Sequence, residues 1–237
     1  MSDVRTWLVT GANRGIGLEI VKQLIASPTN VVVATCRKPE SASALQELAT
    51  SSSGRIHIVC LDVSDSASIS TSVDLAKGVL NAHGLDYLIN NAAIMPVHDN
   101  SFNLSEETIL RTFKVNVVGP ALTTQAYLPY LEKGKRKIIV NISSALGSLS
   151  LCPQKQQIAS YSLSKSALNM LTSKQAVARP DLISFVIDPG WVRTDMGGQA
   201  ALLSPKDSAA GLLEVVTSAT KESSGKFFRY DGETNPW

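Results

Sequence analysis

The apolar run Val4 to Val9 ends in Thr10-Gly11-Ala12-Asn13-Arg14-Gly15-Ile16-Gly17, and the chain continues as Leu18-Glu19-Ile20-Val21-Lys22-Gln23-Leu24-Ile25. A strand, a glycine turn and a helix in that order make a nucleotide-binding corner. The glycines permit the turn and a close approach of ligand to backbone, and the helix N-terminus turns unpaired N–H groups toward a pyrophosphate. The spacing is Gly-x-x-x-Gly-x-Gly, not the Gly-x-Gly-x-x-Gly of most dinucleotide folds. Alone, such a turn is equally an ordinary tight connection, and the rest of the chain must decide.

Further short β-branched runs follow at Asn30 to Thr35, Arg55 to Leu61, Asp86 to Asn90, Lys137 to Ile142, Leu182 to Ile187 and Lys226 to Tyr230, with helical patterns filling most of the gaps. Apolar strands joined through helices predict an α/β fold, a doubly wound parallel sheet (Rossmann-like) of about seven strands with helices on both faces. Ligands of such sheets sit beyond the carboxyl ends of the strands. At 237 residues, 44% of them hydrophobic, the chain is expected to form one dinucleotide-binding domain over residues 1–237. A net charge of +2 without a basic, aromatic-interleaved cluster argues against nucleic acid. Cys36, Cys60 and Cys152 are odd in number and not closely paired, so neither disulfides nor a metal site is expected. No long apolar run marks a signal peptide or membrane span, and a cytoplasmic protein is expected.

In Ala159-Ser160-Tyr161-Ser162-Leu163-Ser164-Lys165, a phenol and an ammonium stand four residues apart, on one face of a helix. The cation can favour the phenolate. Bringing a tyrosine from about 10 to neutral pH takes roughly 4 kcal/mol, the order supplied by a charge at ~4 Å in an effective dielectric of about 20. Alone this pattern is weak, and most such pairs are solvated.

Together these residues resemble the short-chain dehydrogenases/reductases nearly end to end. The family's glycine motif falls on Thr10 to Gly17, its adenine-side Asp-Val on Asp62-Val63, and its strand-four motif on Asn90-Asn91-Ala92. Its catalytic Asn, Ser, Tyr and Lys fall on Asn116, Ser144, Tyr161 and Lys165. The run Pro189-Gly190-Trp191-Val192-Arg193-Thr194-Asp195-Met196-Gly197-Gly198 and the stretch from Gly225 to Trp237 look like the branch that contains the sniffer carbonyl reductase and the bacterial C-factor.

The resemblance implies NADPH-dependent reduction of a small-molecule carbonyl compound: an aldehyde, ketone or quinone. Tyr161 would donate the proton, Ser144 would hydrogen-bond the carbonyl oxygen, Lys165 would hold the ribose and stabilise the tyrosinate, and Asn116 would link the relay to solvent. The implied cofactor contacts are Gly11, Asn13, Arg14, Gly15, Ile16, Gly17, Arg37, Asp62, Val63, Asn91, Ala92, Ala93, Tyr161, Lys165, Pro189, Gly190, Val192 and Thr194. Ser143 stays open as a substitute for Ser144, and a homodimer or homotetramer is also open. Other readings are a dinucleotide-binding regulator of the same fold with little turnover and an alcohol dehydrogenase working oxidatively.

NADP(H) is the expected cofactor because the ribose-holding position, about twenty residues past the glycine motif, is Arg37. No acid occupies Ala34 to Lys38, Cys36 stands where NAD-preferring relatives tend to carry Asp, and Arg14 is nearby. Solvated arginines are the bland alternative.

Asn116 lies in a helical stretch from about Ser105 to Leu131, and Pro120, four residues on, has no N–H for its carbonyl. An opened turn is expected there. Asp188 reads as a hydrogen-bonded strand end, and His57, His83 and His98 lie outside every motif. Ala93 replaces the glycine of the family's Asn-Asn-Ala-Gly, and the Ser144 to Tyr161 loop, with Cys152 to Gln157, is longer than in many members. Trp191 to Ser204 is expected to be a lid, hinged at Gly197-Gly198.

Overall fold

A computed structural model describes residues 4–96, 99–151 and 158–237. Among them, seven parallel strands form one sheet in the order β3-β2-β1-β4-β5-β6-β7. They are β1 (Arg5–Thr10), β2 (Asn30–Cys36), β3 (Ile56–Cys60), β4 (Tyr87–Asn90), β5 (Ile138–Ile142), β6 (Ile183–Asp188) and β7 (Phe227–Arg229). Each expected strand is present, with ends shifted by about a residue or two, the ordinary uncertainty of a boundary. The helices are α1 (Gly15–Leu24), α2 (Ser43–Ser51), α3 (Ser66–His83), α4 (Glu106–Phe113), α5 (Gly119–Leu131), α6 (Ala159–Ala178) and α7 (Pro205–Ser218).

The sheet is buried on both faces, which is why its strands read as unbroken apolar runs instead of alternating ones. Trp7, Val9, Val32, Ala34, Val140 and Phe185 face α1, α2 and α7, where Ile20, Val21, Leu45, Leu212 and Val216 meet them. Leu8, Val33, Leu88 and Ile139 face the other way, onto Leu80 of α3 and Tyr127 and Leu131 of α5. Trp7 stacks on Tyr87 of the neighbouring strand at 3.6 Å between ring centres.

The strand order reverses between β1 and β4, and the carboxyl ends of these strands open the crevice where such folds bind ligands. The expected helix from Ser105 to Leu131 is interrupted, with Lys114–Val118 forming a π turn between α4 and α5. Pro120 explains the break. An α-helix would need its N–H at that position, and a wider turn relieves the mismatch.

Candidate active site

Gly11 and Gly15 take positive φ, +66° and +55°, as the turn between β1 and α1 requires. Asn91 stitches this turn to β4: its Nδ2 donates to the carbonyls of Thr10 (2.8 Å) and Gly11 (3.2 Å). In return, Thr10 Oγ1 accepts the backbone N–H groups of Asn91 and Ala92, each at 3.0 Å. A Cβ at Gly17 would lie 2.3 Å from the Gly11 oxygen, so only glycine fits. Arg14 precedes α1 in an extended conformation and gives it no side-chain cap. Asp65, Ser105 and Ser204 do cap α3, α4 and α7. The first N–H groups of α1 therefore have no side-chain cap, beside half-buried Ile16 and exposed Asn13 and Arg14.

At the ends of β2 and β3, buried Cys36 lies in register with Cys60, and exposed Arg37 follows. Asp62 accepts from the N–H (2.9 Å) and hydroxyl (2.7 Å) of Ser64. Burial pushes its pKa up, but the Ser64 hydrogen bonds and the charges of Arg37 and Lys114 outweigh this and hold it below its ordinary value. Val63 packs so closely on Gly119 that a Cβ there would come within 2.8 Å of the Val63 oxygen.

Asn116, fully buried in the π turn, cross-links the strand-four loop. Its Oδ1 accepts from Ile94 N at 2.9 Å and its Nδ2 donates to Ile94 O at 2.8 Å. The same Nδ2 donates to Ser164 Oγ at 3.0 Å, and that hydroxyl donates to the Tyr161 carbonyl at 2.7 Å. Ser164 was missed in the sequence, where its only signal was a polar side chain one turn past Tyr161.

Ser143 and Ser144 separate cleanly. Ser143 turns inward, donating to Asn169 Oδ1 at 2.5 Å, whereas the Ser144 hydroxyl, which accepts from Leu146 N at 3.2 Å, lies beside the Tyr161 side chain and favours its ionised form. Lys165 Nζ lies 5.5 Å from the centre of the Tyr161 ring and donates to Ile142 O at 2.7 Å. Both side chains are buried. The expectation that the ammonium draws the phenol toward neutrality is not met here. Burial and the Asp188 charge push the Tyr161 pKa up against the Ser144 hydrogen bond. Burial also pushes Lys165 down to about 7, with Asp188 opposing, so at neutral pH the lysine is a weak counter-charge.

Beyond β6, Gly190 takes φ +76° and Ser208 donates to Pro189 O at 2.7 Å. Asp188 behaves as the expected strand end, accepting from Gly190 N at 3.1 Å. Val192 pairs with Leu203, and Thr194 lies over Gly15, its Cγ2 3.3 Å from where a Cβ would be. The Trp191 to Ser204 segment is closed on itself: Leu203 N donates to Trp191 O at 3.0 Å and Trp191 Nε1 to Gly197 O at 2.8 Å. Trp191, Met196 and Leu202 are exposed, so they do not form an apolar inner face in this arrangement. Gly197 serves close packing, since a Cβ there would meet Val192 O at 2.0 Å. Half-buried Ala93 adjoins the Ile94 that Asn116 grips. The Cys152 to Gln157 loop and His98 lie outside the described residues.

The sequence model for short chain dehydrogenase matches residues 5–202. The NADPH-bound carbonyl reductase from chicken fatty liver is 37% identical, with a TM-score of 0.93 over 99% of each chain. The carbonyl reductase Sniffer of Drosophila melanogaster is 32% identical, with a TM-score of 0.93 over 99% of this chain and 100% of that one. The C-signal of Myxococcus xanthus is 37% identical over 155 residues, 65% of this chain and 93% of that protein. Among the described residues no helix is long and apolar enough to cross a membrane.

Proposed function

The chain belongs to the short-chain dehydrogenase family, and on that premise we propose that it is an NADPH-dependent reductase of aldehyde, ketone or quinone carbonyls. The observation that carries this reading is the meeting of Asn116, Ser144, Tyr161 and Lys165 at the carboxyl end of the sheet, with Asn116 joined to the Tyr161 backbone through Ser164 and the Lys165 ammonium 5.5 Å from the Tyr161 ring.

A dinucleotide fits the residues present. The uncapped N-terminus of α1 would take the pyrophosphate, and Asp62 and Val63 would flank the adenine. Asn91 to Ala93, Tyr161, Lys165, Pro189, Gly190, Val192 and Thr194 would line the nicotinamide side. Exposed Arg37, with no acid at the end of β2, favours a 2'-phosphate over a bare ribose. When bound, the cofactor would supply the hydride.

The protein's own residues manage the proton. Tyr161 donates it from the phenolic oxygen to the carbonyl oxygen, and burial keeps this phenol in its protonated form at neutral pH. Ser144, beside the Tyr161 side chain, would hold the carbonyl oxygen in line. The tyrosinate left behind would favour the charged form of Lys165, which would return a proton to it, and Asn116, in a turn where Pro120 offers its carbonyl no N–H, would link this relay to solvent, the source of the replacement proton.

The test is to follow NADPH absorbance with a panel of aldehydes, ketones and quinones. Consumption is expected with at least one class. The likeness to C-signal motivates the second reading, a dinucleotide-binding regulator, which tight NADPH binding without consumption would favour; turnover with alcohols and NADP+ alone would instead mark an oxidative enzyme.

A further inference from the structure

The end of β6 places a charge where this mechanism has not used one. Asp188 is 6% exposed, and its carboxylate accepts the Gly190 N–H at 3.1 Å. Burial pushes its pKa above the ordinary carboxylate value, against the Gly190 N–H, the nearby backbone of Ala145, the residue after Ser144, and the Asn235 amide, whose buried Nδ2 makes no well-formed hydrogen bond.

The register sets this carboxylate behind the tyrosine and lysine. Ile142, whose carbonyl holds the Lys165 ammonium, pairs with Ile187, and Asp188 is the next residue along β6. Its charge is felt by both Tyr161 and Lys165 of α6. On the other side Asp188 is in register with Arg229 of β7, but that guanidinium is bonded to Asp231 and Glu233 at the surface. Tyr161, Lys165, Arg229 and neutral Asn235 are thus the polar groups facing it. Removing a carboxylate from water costs several kcal/mol unless donors and a cation answer it, and here the donor is the turn that carries Gly190.

We propose that Asp188 is a positioning residue for carbonyl reduction: it braces the Pro189-Gly190 loop and sets a negative charge behind the Tyr161 and Lys165 pair. The inference rests on the carbonyl reductase reading above. A negative charge there opposes loss of a proton from either member of the pair, so the pair stays loaded to higher pH and proton donation, the reductive direction, is favoured.

Asp188→Asn keeps the size and removes the charge. The alkaline limb of kcat for carbonyl reduction is expected to move down by about one pH unit or more. In the cofactor-free protein the NMR titration of the Lys165 side chain, assigned against Lys165→Met, is expected to move down with it. NADPH affinity is expected to fall as well, because the Gly190 turn loses a charged acceptor. If thermal unfolding shows that Asp188→Asn does not fold, Asp188→Ser takes its place in both titrations. An unmoved limb and an unmoved Lys165 titration in a folded variant would overturn the proposal. The failure of the underlying reading looks different: no carbonyl is reduced by the unaltered protein, or Tyr161→Phe keeps its turnover, while the Lys165 titration still decides whether Asp188 acts on the pair.

Discussion

Arg14 Nη1 lies 2.9 Å from Asp195 Oδ2, joining the glycine turn to the segment that follows Pro189-Gly190. Both side chains are largely exposed, 67% and 78%, so the pair adds little to stability, ~0 to 1 kcal/mol. It places Arg14, expected to face the cofactor phosphates, under the hold of the very segment expected to close over the substrate.

If phosphate and Asp195 compete for Arg14, then Asp195→Asn should tighten NADPH binding, by no more than about fivefold, the ceiling for an exposed pair. The gain should shrink as salt screens both interactions. Calorimetric titration at low and high ionic strength measures it, and equal Kd values for the two proteins at low salt would show that the ion pair does not gate the site.

Tyr161→Phe keeps the ring in its buried seat and removes the donated proton. Turnover should fall by at least ~100-fold, the scale of general acid catalysis, with folding and NADPH affinity nearly unchanged. Retained turnover would take Tyr161 out of the mechanism.

Arg37→Ala addresses cofactor choice. A hydrogen bond to a charged group contributes ~1.5 to 3 kcal/mol, so NADPH should bind roughly ten- to a hundredfold more weakly and NADH about as before. Equal losses for both would point instead to damage at the end of β2, where the Arg37 carbonyl accepts from Cys60 Sγ at 3.4 Å.

The sheet was legible because a parallel strand buried on both faces writes itself as an apolar run, and the glycine turn because Gly11 and Gly15 need positive φ. The π turn around Asn116 was foreseeable from the missing N–H of Pro120. The direction of the Tyr161 pKa was not. Helical spacing gives the distance between phenol and ammonium but not their burial, which depends on side chains far apart in sequence. The roles of Gly197 and Gly119 were hidden for the same reason: the atoms they make room for, Val192 O and Val63 O, are revealed only by the folded chain. Ser164 and Ile94, which grip the Asn116 side chain, carry no motif at all.

Asn116 should matter to the fold as well as to proton transfer. Asn116→Ala would deprive the N–H and carbonyl of half-buried Ile94, paired at 2.9 and 2.8 Å, of this partner, and a group left unsatisfied away from water costs about 1 to 3 kcal/mol. The urea midpoint should drop by the equivalent of roughly 2 kcal/mol or more, and kcat should drop with it. A stability loss within about 0.5 kcal/mol would mean that Ile94 finds other partners.

Lys165 makes the stability of the cofactor-free protein depend on pH in a direction that can be worked out. Burial lowers its pKa from 10.5 to about 7. Between those values the unfolded chain binds a proton that the folded one does not, so stability should rise with pH across that window, by at most about 1.4 kcal/mol per pH unit for one group. Below about 7 both states are charged, and the cost of burying the ammonium is felt in full. Tyr161 opposes the trend only above its ordinary value of 10, where the unfolded chain loses a proton that the buried phenol keeps. Lys165→Met should therefore abolish the rise while cutting turnover by at least ~100-fold. Removing a buried side chain also alters the packing, so the slope is the informative quantity, not the absolute stability. Urea unfolding at several pH values between neutrality and about 9, for both proteins, measures it. Parallel curves would show that Lys165 is not desolvated in the folded chain.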